Sequence, residues 1–341
     1  MANLIEQYIE QSLPKDSSFF QKSNELSDRS NTEYNKNHIF HSVLDFISKN
    51  NSENKMDYMT LFYTYEKLLD HSRMRDYNIC EYYVDKINFL HKNIQFDSNL
   101  SIQGMYSLYN PAIGYYYYSI KKFDKSLKHM LDSIQNINEL IQYGFVDATF
   151  IKIEQYLNLF RLCYDFQYTD EAIKYATSVV NYILGSGDLL FKEYPIRKVI
   201  RNEAQYNEII SIFFNAIIFK ALRHHSNIYG IFKDDTLKVF FSKLSYQYEN
   251  TIIFESLELL KNIYNEEIEF DNFCGTIIQK NILVNPEIPS SIRFLFLKFI
   301  SININLSEVT KDIMIKYEDD ILLKNEKHRI LFLKNTHKNI V

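Results

Sequence analysis

An all-α chain of stacked two-helix units is the fold class this sequence predicts, and three observations carry the prediction. Three short blocks, Asp76 to Cys80, Lys122 to Ser126 and Tyr168 to Ala172, end on small residues spaced 46 positions apart. A small residue returning at equal spacing behind an aromatic or Thr, each time opening an amphipathic stretch, is the mark of a repeated supersecondary unit. The 341 residues hold only 7 Gly and 5 Pro, which leaves few breakers for hairpins or glycine-rich loops. From Met56 onward apolar residues return with a helical period almost without a break.

Residues 1–55 are expected to form an N-terminal helical cap and linker. Gln11 to Asp28 is polar around Phe19-Phe20, His38 to Ser48 has helical spacing at Ile39, Val43, Phe46 and Ile47, and Ser48 to Lys55 reads as a linker. Residues 56–187 hold the repeats. Tyr58, Leu61, Phe62, Tyr65 and Leu68-Leu69 form one stripe, a turn falls near Arg73 to Tyr77, and Tyr82-Tyr83, Ile87 and Leu90 continue beyond it. Later turns are marked by Gly144, Gly185 to Gly187, Pro195, Gly230 and the segment from Asn285 to Pro289. Beyond Gly187 the phase is lost, because 46 residues after Ala172 comes Ile218, inside an apolar run. Residues 188–341 are read as degenerate helix pairs ending in a cap whose polar face is Lys324 to Lys327, Lys334, Lys338 and Asn339.

Composition narrows the function classes. A net charge of −5 without any long Lys/Arg block disfavours nucleic acid, which needs a concentrated basic face. Met1 to Gln11 has neither the basic start nor the apolar core of a signal peptide. The longest apolar run, Ile209 to Phe219, is interrupted by Ser211 and Asn215 and falls short of the ~20 residues of a membrane span. A cytoplasmic location without membrane contact is therefore expected. Cys80, Cys163 and Cys274 are too widely separated for a disulfide framework or a metal knuckle and read as packing residues. The 27 Tyr and 26 Phe without any Trp, beside abundant Ile, Asn and Lys, fit the codon bias of an AT-rich genome.

The run Ile113-Gly114-Tyr115-Tyr116-Tyr117-Tyr118, then Phe123-Asp124-Lys125-Ser126-Leu127-Lys128 and Ser133-Ile134, resembles one tetratricopeptide repeat. Asp170-Glu171-Ala172-Ile173-Lys174 resembles the start of that repeat's second helix more closely still. The period departs from the usual ~34 residues and falls within the ~40–47 of HEAT and armadillo units. The resemblance implies an α-solenoid, a right-handed superhelix of antiparallel helix pairs. It also implies a concave groove, lined by the first helix of each pair, that takes a peptide or protein segment. Carried onto this sequence, the groove would present Tyr65 and Arg73 from the first unit, Tyr115 and Tyr118 from the second, and Arg161 and Tyr164 from the third. Tyr supplies rigid apolar area with a polar tip, and Arg can fork onto a carboxylate, so the set suits an extended peptide or its C-terminus. The competing reading is that these Tyr pack between units with their hydroxyls at the solvent edge.

Chemistry has little to stand on. His38 and His41 lie one helical turn apart and His224-His225 are adjacent, but neither pair has a further ligand at metal-site spacing. Glu266-Glu267 and Asp319-Asp320 are adjacent and point to different helix faces. Gly185-Ser186-Gly187-Asp188 lacks the Lys and Thr of a phosphate loop and reads as a helix terminator. No GxGxxG, HExxH or GxSxG pattern occurs. The expectation is a protein without cofactor or catalytic residues that binds a peptide or protein segment, with a homodimer left open. The rivals are a peptide-sensing regulator resembling the intracellular pheromone receptors of bacteria, and an atypical all-α enzyme. Met1 to Asn50 shows no helix-turn-helix pattern that would favour the regulator.

Overall fold

A computed structural model describes residues 1–13, 36–50, 54–186, 195, 203–222, 228–246 and 251–323. Phe19-Phe20, His224-His225, Gly187-Asp188 and the polar cap from Lys324 onward lie outside the described residues. Among the described residues the chain is all-helical, with no strand. In chain order the helices are α1 (Ala2–Ser12), α2 (Lys36–Asn50), α3 (Lys55–Met74), α4 (Tyr77–Asn93), α5 (Asn99–Ser119), α6 (Phe123–Gln142), α7 (Ala148–Asp165) and α8 (Thr169–Ile183). They continue as α9 (Glu203–Leu222), α10 (Ile228–Ile231), α11 (Asp235–Ser242), α12 (Ile252–Tyr264), α13 (Phe270–Gln279), α14 (Ser290–Asn303) and α15 (Glu308–Leu323). A short 3-10 turn, Ile282–Val284, follows α13.

The chain divides into two compact units. One, the repeat unit, is residues 29–175; the other, the split unit, is residues 1–28 together with 176–341. The segment 1–55 read as a single cap is thus shared out. Helix α1 packs on α13 and α15, whereas α2 packs on α3, α5 and α7.

In the repeat unit α3 packs on α4, α5 on α6, and successive pairs join through α3 with α5 and α6 with α7. The 46-residue period is written into the backbone. Arg75, Lys121 and Gln167, spaced by that period, each take the left-handed conformation at φ 61°, 59° and 65°. Each closes the turn with the same two bonds: Arg75 N to Ser72 O and Asp76 N to His71 O, Lys121 N to Tyr118 O and Lys122 N to Tyr117 O, Gln167 N to Tyr164 O and Tyr168 N to Cys163 O. This is the Schellman closure, which satisfies carbonyls left open at a helix end. The connection then runs directly into the second helix. The period exceeds ~34 residues because the helices are long, 20 and 17 residues in α3 and α4 and 21 and 20 in α5 and α6.

The three repeated small residues sit where the sequence reading wants them, since Cys80, Ser126 and Ala172 are all fully buried. Ser126 Oγ donates to Gly114 O at 2.8 Å, and a Cβ on Gly114 would touch His129 Cβ and Met130 Cγ at 3.4 Å. Helices α5 and α6 therefore cross at near backbone contact, which a larger side chain at either position would prevent. Pro111 sits inside α5 and cannot donate to the Ser107 carbonyl one turn back. Ser133 Oγ of α6 donates to that carbonyl at 3.4 Å. A polar ladder ties the same two helices: Asn110 Nδ2 donates to Asn136 Oδ1 at 2.9 Å, and Asn136 Nδ2 to Gln103 Oε1 at 2.5 Å.

The split unit is organised around α14, where every residue from Ser291 to Lys298 is buried, against α9 and α15. Two charged side chains of that helix are buried with partners on α15. Lys298 bonds to Glu318, and Arg293 Nη1 donates to Tyr317 Oη at 2.7 Å, which donates onward to Leu283 O at 2.6 Å. Burial raises the Glu318 carboxyl and Lys298 opposes that rise, so the carboxylate depends on its partner for its charge. Helix α1 buries Ile5 and Ile9, and its Glu6 accepts from Ser307 N at 2.7 Å.

Candidate peptide-binding face

The structure separates the six residues read as groove-lining. Tyr65 of α3 is buried, with its hydroxyl 2.5 Å from His91 Nε2 on α4 and its ring 5.6 Å from Tyr109. Burial, reinforced by Tyr106 and Tyr109, holds the Tyr65 hydroxyl well above its usual range, and burial alone pushes His91 down to about 4. The imidazole is thus held neutral and shares a hydrogen bond with the Tyr65 hydroxyl, and this pair binds α3 to α4. Arg73 is exposed and reaches Asp70 Oδ1 at 3.4 Å, a surface contact of small energetic weight.

Three others come together. Tyr115 and Tyr118 of α5 have ring centroids 5.7 Å apart, and the Tyr118 hydroxyl donates to the Asp165 carboxylate of α7. Burial first, and that bond second, raise the Tyr118 hydroxyl far above its usual range. Arg161, one turn before Asp165, donates from Nη1 to Asn158 Oδ1 at 3.2 Å. Burial lowers its pKa, while Glu154, Tyr118, Tyr115 and Asp165 oppose the fall, so the guanidinium keeps its charge among two carboxylates and two phenols. Tyr164 lies on the same helix with its ring 5.6 Å from Phe160.

The 46-residue register explains the division. Leu69, Tyr115 and Arg161 are the same position in three units, and all three are half-buried. Tyr65, Pro111 and Leu157 share a different position, which is buried in the first and third units and half-buried at Pro111. The first-helix face is therefore lined in all three units at the Leu69 position, and at the Tyr65 position only by Pro111. Sequence reasoning did not single out Asn158, and it did not foresee the bond from Tyr118 to Asp165. It read the helical spacing of His38 to Ser48 but not where that helix packs: α2 lies against all three first helices, α3, α5 and α7.

Among the described residues no group of three or more His, Cys, Asp or Glu side chains is placed to hold a metal ion, and no helix is long and apolar enough to cross a membrane. The chain matches no protein-family model, no curated protein and no solved structure.

Proposed function

We propose that the chain is a tetratricopeptide-like α-solenoid, a right-handed superhelix of antiparallel helix pairs, that binds a peptide or protein segment along the face of α3, α5 and α7 and has no catalytic role. The supporting observation is the junction of α5 with α7: Tyr118 of one unit bonds Asp165 of the next, so one half-buried surface runs across consecutive units. Both arginines of the set already stand beside carboxylates. The cluster of Arg161, Glu154 and Asp165 carries one excess negative charge, which suits a peptide N–H or a basic side chain better than a C-terminal carboxylate.

Parallel measurement of partner capture and melting temperature on Tyr118→Ala and Arg161→Ala tests the reading. Truncating an anchor in a desolvated groove costs about 2 kcal/mol or more of affinity. Capture of a peptide ligand should therefore fall about 30-fold while the melting temperature moves little. A lowered melting temperature with undiminished capture would make these side chains packing residues and remove the face from consideration.

A further inference from the structure

Helix α2 lies on the first-helix face as a ligand would. Val43, Leu44 and Ile47 are buried, whereas His41, Asp45 and Lys49 form an exposed polar ridge at helical spacing. The contact spans three units. The His41 ring meets Phe62 of α3 edge-on at 5.3 Å, Ile47 and Val43 meet α5, and Phe46 stacks on Phe145, just before α7, at 4.7 Å.

On α5 the contact turns on Gly104. A glycine inside a helix weakens it, and a Cβ built here would fall 2.2 Å from Ile47 Cδ1, 2.6 Å from Ile47 Cγ1 and 3.7 Å from Val43 Cγ1. The nearest atoms beyond its own helix thus all belong to α2, and the missing side chain is the socket into which Ile47 fits. Shifted by one 46-residue period, α2 falls on α4, yet it packs differently: α4 packs mainly on α3, whereas α2 lies across α3, α5 and α7, and the pairs close on one another through contacts that do not involve it. The socket also stands apart from the Tyr118 cluster. Gly104 and Tyr118 are separated by 14 residues of one helix, about 21 Å along its axis.

We propose that this socket is a helix-binding seat, that α2 is its resident ligand, and that a protein partner enters by displacing α2 with an amphipathic helix of the same pattern. That pattern is two β-branched aliphatic residues four positions apart, with an aromatic residue beside the second. The proposal shares the first-helix face with the peptide-binding reading but uses different side chains, so the two can fail separately.

The test uses the full chain in three forms and, as probe, a labelled synthetic peptide of residues 36–50. The released form carries Val43→Asp and Ile47→Asp, which leave the seat intact. The locked form carries Ile47→Cys and Gly104→Cys. The built Cβ lies 2.6 Å from Ile47 Cγ1, so one further bond puts the two Cβ atoms within about 4.1 Å, inside the disulfide range. If α2 is seated ~90% of the time, it weakens a competitor about ten-fold, so the released form should bind the peptide about ten-fold more tightly than the wild type. The oxidised lock should bind none, and reductant should restore binding to the wild-type level. Equal binding by locked, wild-type and released forms would place the peptide elsewhere and overturn the proposal, as would no binding by a released form of wild-type helicity. Neither result touches the Tyr118 and Arg161 test. Should the released form lose its helix content, hydrogen exchange on the lock decides. Amides of 41–49 should exchange about ten-fold faster than those of 105–116 without the disulfide and equally with it, and equal protection without the disulfide would make α2 a fixed part of the core.

Discussion

At the scale of single residues the tyrosines divide by what their hydroxyls touch, and His91 shows the consequence. Its ring is enclosed by Tyr109 at 5.0 Å, Tyr106 at 5.3 Å and Tyr65 at 5.9 Å, and it stays neutral down to a pKa of about 4. Because the folded value lies below the ordinary one near 6.5, the unfolded chain takes up a proton first as the pH falls. Stability from this site is complete above that ordinary value, is lost progressively between about pH 6.5 and pH 4, and levels off below. The shift corresponds to roughly 3 kcal/mol at most, and less after solvent screening of a half-buried ring. His91→Gln, which keeps a hydrogen-bonding partner for Tyr65, should flatten the acid limb of a stability-against-pH curve. Glu66 acts in the opposite sense, since burial raises its carboxyl, but it is present in both proteins and drops out of the difference. An unchanged acid limb in His91→Gln would show that His91 is not the group being titrated. The sequence could not have assigned Tyr65 to this pair. Tyr65 and Leu69 both satisfy the apolar stripe of α3, and only packing tells which of them faces α4 and which the open side.

At the scale of elements the period was legible and its closure was not. Cys80, Ser126 and Ala172 announce the repeat because helix crossings demand small side chains. The turns that set the crossings carry Arg75, Lys121 and Gln167 at positive φ, and none of these residue types signals a left-handed position. A non-glycine residue there costs about 1–2 kcal/mol. Lys121→Gly should therefore stabilise the α5–α6 pair by about 0.5–1 kcal/mol, part of the gain being offset by the greater freedom of glycine in the unfolded chain. Lys121 is exposed, so no packing is lost. The same change at Arg75 and Gln167 should be coupled to it, because neighbouring turns touch: Tyr77 Oη donates to Ser119 O at 3.1 Å, and Phe123 stacks on Tyr168 at 4.5 Å. Chemical denaturation of the single and triple variants measures this, and a triple variant no more stable than the wild type would mean the αL positions are unstrained. Helix α2 escaped the sequence reading for a related reason. Its own periodicity was visible at Val43, Phe46 and Ile47, but its destination depends on Gly104, some 60 residues away, which looks in sequence like an ordinary helix weakener.

At the scale of the whole molecule the chain is not laid out in sequence order, and no local pattern could have said so. Periodicity reports which face of a helix is apolar and is silent on which distant helix covers it, so residues 1–55 read as one cap although α1 and α2 belong to different units. What joins α1 to the C-terminal helices is specific. Ile5 and Ile9 are fully buried, Glu6 accepts from Ser307 N, and Glu10 accepts from Thr310 Oγ1 at 2.7 Å. Ser307 immediately precedes α15, so two carboxylates of α1 stand at the positive end of a helix whose first N–H groups need acceptors. Ile9→Ala should remove a buried side chain at a cost of about 2–5 kcal/mol. The loss should appear as faster amide exchange in α13, α14 and α15, while α3 to α6 keep their protection, because the damaged contacts lie within the split unit. Glu10→Gln should reproduce the pattern more weakly, by about 0.5–1.5 kcal/mol, since the acceptor is kept and only its charge is lost. If Ile9→Ala instead loosened α3 to α6 as much as α15, the two units would be unfolding as one, and their independence as cooperative bodies would have to be given up.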